Sequence, residues 1–271
     1  MSRLAARAGT FLGGLPYLAI GAGGEPLVFL CGSTANHRNP APGVERFATL
    51  RMVGPLAAGG FEVYFTNRWP GMEPDCTFAE VARRHAEAVA HHFGGPVDVV
   101  GHSTGGSLLL QLIADRPEVV RRAVVASAAY ALGPVARRAQ RAMLHSLETT
   151  GRYSTAAILE GMAGMVGSPA LRRLLTPLAA LGARLTRIES PTDAIAMLRA
   201  EDAFDVRDRL PQIPTETLVA HGGKDRFWPP EMFAETAHRI PRGRLAVYPR
   251  RGHALVDAPE FVSDVERFVR S

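Results

Sequence analysis

Val97-Asp98-Val99-Val100 runs directly into Gly101-His102-Ser103-Thr104-Gly105-Gly106 and then into a leucine-rich stretch. A serine with glycine two residues to either side, between a β-type run and a helical one, is the G-x-S-x-G turn that presents a nucleophilic hydroxyl. The turn is so tight that Ser103 must take up a strained backbone conformation, with its side chain above the strand ends. A serine hydroxyl is a poor nucleophile at neutral pH and needs a base, itself oriented by a third group. Two later segments supply candidates. Residues 217–220 lead into His221-Gly222-Gly223-Lys224-Asp225, and residues 245–248 lead into Pro249-Arg250-Arg251-Gly252-His253. Asp225 and His253 thus follow strand-like runs in the chain order Ser, Asp, His.

Their rivals are weaker. His102 adjoins Ser103 but cannot reach back to its neighbour's hydroxyl, and His221 has no acid at a useful spacing, so it reads as a structural hydrogen-bonder. Asp205 and Asp208 read as solvated, Cys31 has no base placed for it, and no acid follows the run that ends Ala126-Ser127-Ala128-Ala129. Charge developing on an attacked carbonyl needs two preorganised N–H donors. Thr104, directly after the nucleophile, supplies one, and Ser33, in the Cys31-Gly32-Ser33-Thr34 loop, is the expected second.

Elements must bring these loops to one edge. Residues 27–30 and 61–65 are short apolar runs of the kind buried on both faces of a sheet, and residues 97–100, 123–126, 217–220 and 245–248 continue the pattern. Over 77–93 the apolar spacing becomes helical (Phe78, Val81, Ala82, His85, Val89), with Thr77 and Glu80 as a capping box and Gly94-Gly95 as the stop. Residues 104–114 and 259–269 predict two more helices. Strands alternating with helices give an α/β fold, a mostly parallel central sheet with helices on both faces. In such sheets ligands bind beyond the carboxyl ends of the strands, where all three candidates lie. Between the fourth and fifth runs, residues 132–204 carry no β-branched run. They are rich in small residues and in methionine (Met143, Met162, Met165, Met197), and are broken by Gly151, Gly161, Pro169, Pro177 and Pro191. That predicts a helical insertion.

At 271 residues, with 46% hydrophobic and 21% charged side chains, the composition is that of an ordinary globular protein. It excludes disorder, collagen-like repeats and coiled coil, and no run of apolar residues is long enough to span a membrane. The 31 basic and 26 acidic residues leave a net charge of +5, almost all of it arginine, since Lys224 is the only lysine. The arginines fall in scattered pairs (Arg83-Arg84, Arg121-Arg122, Arg172-Arg173) rather than on one stripe, which argues against nucleic acid as a partner. Two cysteines without C-x-x-C spacing point to a reducing, cytoplasmic compartment. Arg3 and Arg7 precede an apolar stretch, but Gly13, Gly14, Pro16, Gly21, Gly23 and Gly24 break any signal core, so no export signal is expected.

The 27–32 run, the Gly101–Gly106 turn, His221 to Asp225, and Gly252-His253 through Pro259-Glu260-Phe261 together resemble the α/β-hydrolase superfamily. The resemblance covers the sheet residues, roughly 25–131 and 205–271. It implies a core of residues 1–131 with 205–271 and a helical cap of residues 132–204. It also implies a Ser103-His253-Asp225 hydrolase without metal or organic cofactor. The sequence departs from the family at Cys31, where histidine usually precedes the glycine. A serine nucleophile sets the chain apart from the family's epoxide hydrolases and dehalogenases, which attack with a carboxylate. The expected activity is hydrolysis of an ester, thioester or lactone of a small to medium apolar molecule through an acyl-enzyme. C–C bond hydrolysis or acyl transfer on the same triad is the alternative, and a non-catalytic ligand receptor on this fold a more distant one. Trp69, Met162, Met165, Phe227 and Trp228 are expected to line an apolar pocket between cap and sheet. Arg68, Arg226, Arg250 and Arg251 flank the loops of the site and read as solvated charges.

Overall fold

The computed structural model describes residues 4–165, 168–185 and 187–271. Its centre is an eight-stranded sheet: β1 (Ala6–Thr10), β2 (Pro16–Ile20), β3 (Glu25–Leu30), β4 (Phe61–Thr66), β5 (Val97–His102), β6 (Val120–Ala126), β7 (Glu216–Gly222) and β8 (Gly243–Tyr248). The spatial order is β1-β2-β4-β3-β5-β6-β7-β8. From β4 to β8 every neighbouring pair is parallel, while β1, β2 and β4 pair antiparallel, so the sheet is mostly parallel as the strand–helix alternation predicts.

The parallel strands alternate their side chains between two apolar layers. Val28, Leu30, Val99 and Val125 face one layer with α2 (Phe78–Phe93) and α3 (Thr104–Asp115). Leu27, Phe29, Val100 and Val124 face the other, with α1 (Val44–Ala58) and α9 (Pro259–Val269). Val219 of β7 packs with Phe233 of α8 (Pro230–Arg239). Both sides of the sheet are therefore covered, which is why its central strands read as continuous apolar runs rather than alternating ones. At the start of α2 the Thr77 hydroxyl accepts from the Glu80 N–H at 3.1 Å, but the Glu80 carboxylate turns to Arg83 and Arg84, so only half of the expected capping box closes.

Between β6 and β7 the described residues form four helices: α4 (Pro134–Thr150), α5 (Thr155–Met165), α6 (Pro169–Leu185) and α7 (Pro191–Asp202). The expected breakers act unevenly. Pro169 and Pro191 open helices and Gly151 ends α4 in the left-handed conformation, whereas Pro177 lies inside α6. Helix α7 and the segment before it are tied to loops at the carboxyl edge of the sheet. The Asp193 carboxylate accepts from the N–H groups of Gly71 and Met72 at 3.0 and 2.9 Å, and Arg38 pairs with Glu189 at 2.8 Å. A lone antiparallel bridge joins Ala131 to Asp205 where the chain leaves and re-enters the sheet. No helix among the described residues is long and apolar enough to cross a membrane.

Candidate active site

Parallel pairing aligns the carboxyl ends of β3, β5, β7 and β8, so the loops after them meet. Ser103 sits between β5 and α3 with φ 55° and ψ −125°, a left-handed conformation that a serine rarely adopts. The crossing is close enough that glycine is required at two positions. A Cβ at Gly101 would overlap the Gly105 carbonyl, and one at Gly105 would overlap that of Leu30.

His253 and Asp225 arrive from the β8 and β7 loops. The Ser103 Oγ lies 3.0 Å from His253 Nε2, and His253 Nδ1 lies 2.8 Å from Asp225 Oδ2. A carboxylate only accepts, so Nδ1 carries the proton and Nε2 is left to accept from the serine. The other Asp225 oxygen accepts from the Phe227 N–H at 2.9 Å, which fixes the carboxylate plane. The His253 ring lies nearly parallel to Trp228 at 5.8 Å and edge-on to Phe227 at 4.6 Å, so its orientation is held by packing as well as by hydrogen bonds.

Sequence reasoning did not anticipate what holds the His253 backbone. Its carbonyl accepts from Ser127 Oγ at 2.8 Å and faces His102 Nε2 at 3.1 Å. Ser127 follows β6 at the same sheet edge and is itself left-handed, with φ 53°. Burial lowers His102 to about 4, so its ring is neutral and donates through Nε2–H. The signal available in the sequence was position alone: both residues sit at strand ends beside the nucleophile. His221, expected as a structural hydrogen-bonder, has its Nδ1 3.2 Å from the Gly222 carbonyl and its ring stacked on Phe233 at 4.2 Å, while Asp205 and Asp208 are exposed.

Arg68 contradicts its reading as a solvated charge. It is 1% exposed, and its Nη1 donates to the Gly32 carbonyl at 2.6 Å and lies 3.3 Å from Cys31 Sγ. The loop after β4 folds under the loop after β3, which seals the guanidinium against the carbonyl it binds. Burial pushes the Cys31 thiol up, so it stays protonated and is no competing nucleophile.

Ser103 and His253 open into a cavity of about 340 Å³. Ser33 and Thr104 line it, as do Met143, Met165, Leu198, Phe227 and Trp228. Two expected pocket residues are elsewhere. Trp69 is buried in the core with Met72 and Phe78 and lies under Arg84 at 4.2 Å, because the β4 loop turns it inward rather than toward Ser103. Met162 is half-buried on α5 and does not reach the cavity, whereas Met165, one helical turn later, does. One residue the sequence reading passed over, Glu201 of α7, lines the same cavity.

The family model for the alpha/beta hydrolase family matches residues 27–265, and the chain belongs to that family. It is 30% identical over 198 residues to a pimeloyl-[acyl-carrier protein] methyl ester esterase of Neisseria meningitidis serogroup C, covering 68% of this chain and 70% of that one. It is 27% identical over 241 residues to a 2-hydroxymuconate semialdehyde hydrolase of Pseudomonas putida, covering 80% and 82%. Among solved structures, a hydrolase from Pseudomonas aeruginosa PA01 superposes with a TM-score of 0.73 at 19% identity, covering 100% of this chain and 99% of that one. That likeness concerns the fold. The chain is thus an α/β hydrolase.

Proposed function

We propose that this hydrolase cleaves an ester, thioester or lactone of a small to medium apolar molecule through an acyl-enzyme. One observation carries the reading: the unbroken relay from Ser103 Oγ through the His253 ring to Asp225, opening into a largely apolar cavity. His253 Nε2 takes the Ser103 proton as Oγ attacks the carbonyl carbon, and Asp225 stabilises the imidazolium that forms. The C–O or C–S bond then breaks, His253 protonates the leaving group, and acyl-Ser103 remains. Water attacks the acyl carbon with His253 again as base, releasing the acid and restoring the serine.

The oxyanion is assigned to the N–H groups of Thr104 and Ser33. Thr104 is in the first turn of α3, where an N–H has no intrahelical acceptor and the helix dipole favours negative charge. In a trans peptide the C=O and N–H point opposite ways, so anchoring the Gly32 carbonyl on Arg68 aims the Ser33 N–H away from it. The helices α4 to α7 serve as a cap that contributes Met143, Met165 and Leu198 to the cavity and keeps water from the acyl-enzyme.

The esterase relative supports the ester reading. The relative named for a semialdehyde hydrolase aligns over more of the chain and favours a second reading, C–C bond cleavage of a diketone-like substrate on the same three residues. The test is a fluorophosphonate probe followed by p-nitrophenyl esters of increasing chain length, with aryl lactones, acyl thioesters and vinylogous diketones alongside. Covalent labelling of Ser103 with ester turnover is the expected result. Absence of labelling would refute the serine mechanism, and turnover of diketones alone would replace the ester reading by the second one.

A further inference from the structure

Glu201 breaks the pattern of its helix. Ala194, Met197 and Leu198 precede it at helical spacing on α7, so the periodicity sets an acid on the buried face. The residue is 1% exposed, and neither carboxyl oxygen has a hydrogen-bond partner among the described residues. The hydroxyls of Thr104 and Ser107 stand beside it without closing a well-aligned bond, and no ion pair joins it to Arg68. Buried polar groups are nearly always satisfied, and one that is not calls for an explanation. Here the explanation lies in the position. Glu201 lines the cavity into which Ser103 opens, among Leu132, Ala136 and Leu198.

We propose that Glu201 is a specificity determinant that hydrogen-bonds a hydroxyl on the substrate, so that hydroxylated esters are preferred over plain alkyl ones. The proposal rests on the serine-hydrolase reading only for which bond is cleaved; the recognition itself is a binding event. A hydroxyl both donates and accepts, so it complements a carboxyl in either protonation state. An ammonium group fits less well, because the buried Arg68 guanidinium, with Nε and Nη2 unpartnered among the described residues, already places positive charge nearby. A substrate carboxylate would meet a second acid in an apolar wall.

The experiment measures binding in the Ser103→Ala background, where turnover does not intervene, through the fluorescence of Trp228 in the cavity wall. The probes are six- to eight-carbon esters with one hydroxyl walked along the acyl chain, then along the alcohol chain, each beside its unsubstituted parent. The expected result is one hydroxyl position bound about 10-fold more tightly than the parent. Glu201→Leu should bring that ratio to one or below, and Glu201→Gln should keep part of it. A difference infrared spectrum of the Glu201 chain should move its carboxyl band on binding the preferred ester and not on binding the parent, which tests the contact even if Glu201→Leu fails to fold. Absence of any preferred position, a preference that survives Glu201→Leu, or an unmoved carboxyl band would overturn the proposal. Failure of the fluorophosphonate probe to label Ser103 would overturn the reaction and leave these binding ratios readable.

Discussion

Glu201→Gln should make the protein more stable at pH 8 than the native chain, and leave the two alike near pH 4.5. Burial raises the Glu201 carboxyl from its ordinary 4.5 to about 7, against smaller opposing effects from Arg68 and from the Thr104 and Ser107 hydroxyls. Below pH 4.5 the acid is protonated in both folded and unfolded chains and contributes no pH dependence. Between 4.5 and 7 the unfolded chain gives up the proton while the folded one keeps it, so the folded state loses ground as pH rises. Above 7 the acid is ionised in both states and the full penalty stands. At about 1.4 kcal/mol per pH unit, that penalty is about 3 kcal/mol. Glutamine has the same shape and no charge, so it removes the penalty and keeps the packing. His37, His85 and His102, each lowered by burial to about 4, act in the opposite sense. Their stabilisation is lost as pH falls from about 6.5 toward 4, but both chains share them and the difference cancels their effect. The assay is urea unfolding of the two chains at half-unit steps from pH 5 to 8. A stability difference that does not change with pH would refute the reasoning, because it would mean that Glu201 ionises alike in the folded and unfolded chains.

Ser103→Ala is expected to lower kcat on the order of 10³-fold or more with the fold intact by circular dichroism, and Asp225→Asn to lower it on the order of 10³- to 10⁴-fold by favouring the wrong tautomer of His253. Ester kinetics check both, and near-native turnover in either variant would remove that residue from the mechanism. Arg68→Lys replaces the planar group held on the Gly32 carbonyl. It should cost roughly 10²-fold in kcat with little change in KM, as for loss of one oxyanion donor; an equal change in KM would point to a pocket defect instead. Met143→Ala and Met165→Ala should each shift the preferred acyl length and raise KM, whereas Met162→Ala, outside the cavity, should leave the profile in place. The contrast is read from the ester-length series, where hydrophobic contacts discriminate by roughly 1–3 kcal/mol per methylene. Gly105→Ala should not give folded protein in a soluble-expression assay, since its Cβ meets the Leu30 backbone rather than a movable side chain.

Ser103, Asp225 and His253 were legible because each lies within a few residues of a strand's carboxyl end, and parallel pairing sends all such ends to one edge. Local signals sufficed: an apolar run, a glycine-bounded turn, an acid, a histidine. The first two strands were not legible in the same way. Glycines and a proline fill the 13–24 stretch, and β2 is specified by its antiparallel partners β1 and β4, the latter more than forty residues away. Helix α1 gave no clear pattern either, since Val44 and Phe47 are exposed while Val53 and Leu56 are buried. The walls of the site depended on tertiary structure throughout. Arg68 is buried because two strand-end loops stack, and Trp69 is turned into the core by the same fold of the chain. The His253 carbonyl is held by Ser127 and His102, 126 and 151 residues distant in sequence. Glu201 reaches the cavity into which Ser103 opens only through the tertiary placement of α7. Periodicity says which face of an element is apolar, but what that face meets is decided by contacts between segments far apart in the chain, and no local pattern encodes them.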